Sequence, residues 1–146
     1  MNDIIVEWDD RYLIGIPLVD DQHKELIRLT NELYESCLLG DEAARETFKS
    51  AIRKLVDYVK FHFGAEERIL KNINYPEFAV HKRQHEDFVR QVLEEVKNFE
   101  EGKKFVPNIF VRFLRDWILT HIAMEDKKYA EYILALKKKG GLKSQI

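Results

Sequence analysis

A chain of 146 residues with net charge −2, 34% charged and 45% hydrophobic side chains has room for a sizeable core and the composition of an ordinary globule. That balance excludes a disordered chain and offers no surplus of positive charge to nucleic acid or an anionic membrane; no run approaches the roughly 20 apolar residues of a membrane span. The lone Cys37 excludes an internal disulfide and reads as a small core residue, and with no signal-peptide pattern at the N-terminus the expected location is the cytoplasm.

Three prolines and six glycines divide the chain. It reads as one domain, 1–146: an irregular arm (1–18), a helical bundle (19–138) and a polar tail (139–146). The arm carries Trp8, Tyr12, Ile14 and Ile16 and is expected to cover one end of the core. The first helix starts near Asp20, a plausible N-cap, and stops before Gly40. Its inward stripe is His23, Leu26, Thr30, Leu33 and Cys37, flanked by Ile27, Tyr34 and Leu38. The second begins near Asp41 and runs to about Lys71, with Phe48, Ile52, Leu55, Val59, His62 and Glu66 inward. Gly64 interrupts it at a cost of roughly 1 kcal/mol against alanine.

Pro76 suits the first position of a third helix, which carries Phe78, His81, His85, Phe88, Val92, Val96 and Phe99 and ends near Gly102. Pro107 opens the fourth, with Phe110, Leu114, Trp117, His121 and Met124 inward. Lys137, Lys138, Lys139 and Lys143 read as a solvated helix end and a frayed tail. Amphipathic helices joined by short turns predict an all-α, up-down-up-down antiparallel four-helix bundle.

All five histidines fall on inward stripes. Residues equidistant from a hairpin turn lie side by side, since both helices rise about 1.5 Å per residue. Counted outward from the turns, His81 faces Glu66, His85 faces His62, and His23 and His121 lie within a turn of that level. An ionised Glu66 in a core needs histidinium or metal beside it. Five imidazoles and two carboxylates exceed the needs of one four-coordinate zinc and suit two ions sharing carboxylates. Nitrogen and oxygen donors favour iron or manganese, with zinc or copper open. After His121, helical geometry favours Glu125 as the next ligand; Asp126, five residues on, reaches the site only if the helix ends, kinks or widens into a π-bulge.

Asp20-Asp21-Gln22-His23, His62-Phe63-Gly64-Ala65-Glu66, His81-Lys82-Arg83-Gln84-His85 and Trp117-Ile118-Leu119-Thr120-His121 followed by Asp126 resemble the hemerythrin family, specifically its single-domain bacterial members. The resemblance spans nearly the whole chain. It implies two iron ions with an oxo or hydroxo bridge, binding dioxygen reversibly for carriage, storage or delivery. It implies His81, His85 and His121 on one iron, His23 and His62 on the other, and Glu66 and Asp126 between them. It selects Asp126 over Glu125, and it surrounds the open position with Leu26, Phe63, Trp117, Ile118 and Ile122. Dioxygen is the expected partner, without nucleic acid or membrane and without enzymatic turnover. The competing readings are a di-iron oxidase or peroxidase, and a sensor of oxygen, nitric oxide or iron status. Against the enzyme, no Glu-x-x-His motif of ferritin-like sites occurs among these histidines.

Overall fold

Pro17 opens the first helix, three residues before the expected start. Proline is preset for the first helical turn and leaves no N–H to satisfy there, which frees Asp20 from capping. The computed structural model describes residues 5–38, 42–103 and 105–139. Within them the chain forms a short 3₁₀ turn (Asp10–Tyr12), α1 (Pro17–Cys37), α2 (Glu42–Asn72), α3 (Phe78–Glu100), α4 (Pro107–Thr120), a π-helical turn (His121–Asp126) and α5 (Lys127–Lys138). Backbone angles stay helical through His121, Asp126 and Lys127, so α4, the π turn and α5 form one continuous fourth rod. The expected four-helix bundle is the fold. Gly40, Asp41 and residues 140–146, Lys143 included, lie outside the described residues.

Both described interhelical turns close on a left-handed residue. Asn74 (φ 54°) ends α2: Tyr75 N–H donates to the Leu70 carbonyl and Asn74 N–H to that of Lys71. Gly102 (φ 72°) ends α3 with the same pair of bonds, from Lys103 to Asn98 and from Gly102 to Phe99. These are Schellman closures, which satisfy the last carbonyls of a helix. Pro76 lies in a turn closed by Phe78 N–H on Tyr75 C=O (3.1 Å), so α3 begins two residues later than expected. Proline's fixed φ suits the second position of such a turn as well as a helix start.

The core has two clusters. The larger runs from Phe48, Phe99 and Phe110 to Leu26, Phe63, Ile118 and Ile122; the smaller joins Ile16 and Val19 to Leu70, Tyr75, Tyr129 and Ile133. Several stripe positions are less buried than expected, Phe78, Val96 and Trp117 being half-buried. Cys37 is only half-buried against the larger cluster, where burial pushes its thiol up to about 11. Leu38 and Met124 are exposed, the first at a helix end and the second on the π turn. Gly64 lies inside an unbroken α2, and a Cβ there would meet only the Arg68 guanidinium at 3.6 Å. No neighbouring backbone requires it.

The arm runs along α1 and also reaches the smaller cluster through Ile16. Asn31 anchors its far end, accepting from the N–H of Ile5 and Val6 and donating to the Val6 carbonyl. Asp20 anchors its near end, accepting from Ile14 N–H (2.8 Å) and Gly15 N–H (3.1 Å). Asp20→Ala leaves both N–H groups unpaired and should cost about 1–3 kcal/mol in denaturant unfolding. Unchanged stability would show that water satisfies them.

Candidate metal centre

Each helix of the bundle contributes to one buried slice. His23 comes from α1, His62 and Glu66 from α2, His81 and His85 from α3, and His121 and Asp126 from the two ends of the π turn. All seven are buried, with His23 and Asp126 fully inaccessible. The pairs His62–Glu66 and His81–His85 converge because residues four apart share a helix face. His121 and Asp126 are five apart, and the π turn supplies what that spacing needs: bonding from i to i+5 brings both to the same side. Glu125, preferred by regular helix geometry, instead points outward and accepts from Lys128 at 3.4 Å.

The carboxylates sit between two sets of imidazoles. Asp126 directs Oδ1 at Nε2 of His81 (3.3 Å) and His121 (3.1 Å), and Oδ2 at His23 Nε2 (3.0 Å). Glu66 Oε1 lies 3.3 Å from Nε2 of both His62 and His85 and 3.9 Å from that of His81. Two four-residue groups could each hold an ion: Glu66 with His81, His85 and His121, and Glu66 and Asp126 with His23 and His62. Within each, the donor atoms lie within 4.8 Å of one another.

Many of these atoms are close without being directed as hydrogen bonds. Both ring nitrogens of His23, His81 Nε2, Glu66 Oε1 and both oxygens of Asp126 are buried without a hydrogen-bond partner. Such atoms normally find one, so their convergence fits cations placed between them. The residues therefore fit a two-ion, nitrogen- and oxygen-rich site.

Electrostatics of the protein alone tell the same story. Burial opposes charge on His23, but the close Asp126 and Glu66 carboxylates override it and raise this imidazole to about 9; His81 is raised to about 9 by the same balance. Burial carries His62 down to about 4. Burial works against ionised Glu66 and Asp126, yet the surrounding histidines hold both below the ordinary carboxylate range. Without a metal, the slice keeps its two carboxylates only by retaining protons on imidazoles.

A surrounding ring of partners fixes these side chains. Gln22 Oε1 accepts from His62 Nδ1 (2.7 Å), Glu67 Oε2 from His85 Nδ1 (3.0 Å), and Glu66 Oε2 from the Tyr129 hydroxyl (2.5 Å). Each bond to Nδ1 turns the opposite nitrogen, Nε2, into the slice. Gln22→Leu should therefore weaken metal retention about 10- to 100-fold in competition with a chelator. Wild-type retention would show that packing alone orients His62. Sequence reasoning assigned no role to Gln22, Glu67 or Tyr129. The available signal was weak: Tyr129 follows Asp126 by one turn, and a buried tyrosine usually seeks a partner for its hydroxyl.

Apolar side chains close the slice. Phe63 stacks on His85 (centroids 3.7 Å, 2° between planes), and Trp117 stacks on His121 (4.5 Å, 11°). Leu26, Ile118 and Ile122 are buried in the same cluster as Phe63, and Trp117 packs half-buried against it. A surface groove of about 640 Å3 between α2 and α3 reaches Phe63, Glu67 and His85. No helix among the described residues is long and apolar enough to cross a membrane.

The family model described as the hemerythrin HHE cation binding domain matches residues 14–133, which include all seven residues of the slice. The chain belongs to the hemerythrin family. It is similar to the bacteriohemerythrin of Stenotrophomonas maltophilia, 31% identical over 90% of this chain and 83% of that one. The bacteriohemerythrin of Methylococcus capsulatus is 32% identical over 83% and 90% respectively. A hemerythrin-like protein of Naegleria gruberi is 31% identical over 84% and 88%. Among solved structures, wild-type hemerythrin superimposes with a TM-score of 0.81 at 30% identity, covering 87% of this chain and 96% of that one.

Proposed function

We propose that this hemerythrin-family chain binds dioxygen reversibly at a di-iron centre. The observation that carries the reading is the unequal division of imidazoles across two shared carboxylates. His81, His85 and His121 lie on one side, with only His23 and His62 on the other. His81, His85 and His121 would saturate one iron, and the shortfall on the other side would leave a position for a small ligand. Glu66 and Asp126 would join the two, Asp126 through one oxygen to each side. The iron pair supplies the reversible two-electron exchange that dioxygen binding needs.

The rest is done by the protein. Five neutral imidazoles and only two carboxylates disfavour the high-valent states on which oxidases depend. Gln22 and Glu67 hold His62 and His85 with Nε2 inward, and Tyr129 holds Glu66 against rotation. Phe63, Trp117, Leu26, Ile118 and Ile122 keep water and protons from a ligand that must leave as it arrived.

Anaerobic reduction of iron-loaded protein followed by oxygen titration tests this. The expected result is a cycle between colourless and coloured states, with one dioxygen per iron pair and full recovery on removing the gas. Sustained oxygen consumption with reductant would identify an oxidase instead.

A further inference from the structure

The outer face between α3 and the fourth rod exposes a run of apolar side chains. Steps of three or four residues along the rod lead from Val106 (44% exposed) and Ile109 (67%) through half-buried Phe113 to Met124 (59%). Phe88 stacks on Trp117, and His85 Nε2 meets His121 Nε2 at 3.1 Å, which sets the register of α3 against the rod. By that register Val80 on α3 (56% exposed) lies level with Met124. At the other end a groove of about 560 Å3 brings Glu94 and Glu95 of α3 beside Val106, Ile109 and Phe113. Contiguous exposed apolar surface of this kind marks an interaction site.

The two ends of the face carry opposite charge. Glu94 and Glu95 have no ion pair among the described residues, and Arg112 does not line their groove, so the Ile109 end is net acidic. At the Met124 end Arg83 is unpaired and Lys128 offsets Glu125 (3.4 Å), which leaves that end net basic. Between them Arg90 is paired with Asp87 (2.9 Å) and Arg115 with Asp116 (2.8 Å). A face acidic at one end and basic at the other complements itself when turned end for end. Its geometry allows this: the midpoint of Ile109 and Met124 on the rod and that of Glu94 and Arg83 on α3 both fall at the Phe88–Trp117 stack.

We propose that a second copy of this chain covers this face, antiparallel about a two-fold axis at the level of Trp117. Ile109 and Val106 of each copy then meet Met124 and Val80 of the other, and Glu94 and Glu95 meet Arg83. The contact is isologous, so it closes at two copies. A basic peptide would match only the acidic end, and an anionic bilayer would be repelled by it. The second copy also covers Trp117, half-buried and stacked on His121, and so thickens the apolar wall beside the slice. No metal ligand takes part, and the pairing does not depend on the dioxygen reading.

Sedimentation equilibrium of the full chain from micromolar to near-millimolar concentration tests this. Wild type should reach twice the monomer mass and go no further, and Ile109→Asp should stay monomeric. Glu94→Lys and Arg83→Glu should each weaken association about tenfold, and the two changes in one chain should restore it. Ile109, Glu94 and Arg83 are exposed, so helix content and the unfolding midpoint should not move. Phe61→Asp, at an equally exposed apolar position on α2, should leave the dimer intact. In a Cys37→Ser background, Ile109→Cys and Met124→Cys chains mixed together should oxidise to a cross-linked dimer, and neither should do so alone. Wild type that stays monomeric, a mass that passes the dimer, a dimer that survives Ile109→Asp, or a cross-link in Ile109→Cys alone overturns the pairing. Monomeric wild type that instead binds a basic amphipathic peptide or anionic vesicles through Ile109 overturns it too and assigns the face to that occupant.

Discussion

Glu66→Gln should reduce bound iron from two ions per chain to one or none and abolish the oxygen-dependent absorption. Glu66 is the one residue shared by both candidate ligand groups, with Oε1 facing His62 and His85 at 3.3 Å. The amide keeps an oxygen that can accept from Tyr129, so the change removes the bridging charge with little effect on packing. Glu66→Ala goes further. It also orphans the Tyr129 hydroxyl and strips the nearby imidazolium groups of half their counter-charge. Breaking a buried ion pair from one side costs about 3–5 kcal/mol, so the iron-free alanine variant should unfold at clearly lower denaturant. Stoichiometric iron in Glu66→Gln, measured by elemental analysis, would show that Asp126 alone joins the two halves.

The buried histidine–carboxylate slice is legible in the sequence because α-helices turn regular spacings into shared faces. His62–Glu66 and His81–His85 announce themselves four residues apart, and counting outward from the turns places them at one height. Asp126 was not legible in that way. A fixed turn per residue favours Glu125 and puts Met124 inside; the π turn removes that assumption, burying Ile122 and Asp126 and exposing Met124. Here the resemblance to a family supplied what periodicity could not.

The supporting hydrogen bonds were hidden for a different reason. Gln22 with His62 and Tyr129 with Glu66 join residues 40 and 63 positions apart, and each depends on how two helices are rotated against one another. Periodicity tells which face turns inward but not which atom meets which across the gap. Asp20 is a related case: its residue type suggested a cap, while Pro17 had already taken the helix start and left the carboxylate to the arm. Local propensity was outweighed by a neighbour three positions away.

Iron-free protein should be most stable near pH 6.5 and lose stability on either side, whereas the iron-loaded protein should hold its stability between pH 6.5 and 9. Stability falls with pH wherever the folded state binds more protons than the unfolded chain. His23 and His81 rise from an ordinary 6.5 to about 9 on folding, so their contribution is complete below 6.5 and lost as pH climbs to about 9. His62 has the opposite sign: lowered from 6.5 to about 4, it contributes above 6.5 and is lost as pH falls toward 4. Glu66 and Asp126, held below the ordinary carboxylate range, add to the loss on the acid side. Coordination replaces protons with metal on the same nitrogens, which removes the alkaline loss. Iron uptake between pH 6.5 and 9 should therefore release protons from His23 and His81, and apparent affinity should rise with pH across that window. Chemical denaturation of both forms across this range, with proton release followed in weak buffer, checks both signs. A flat iron-free profile above pH 6.5 would mean that these imidazoles are already neutral, leaving Glu66 and Asp126 to find their counter-charge elsewhere.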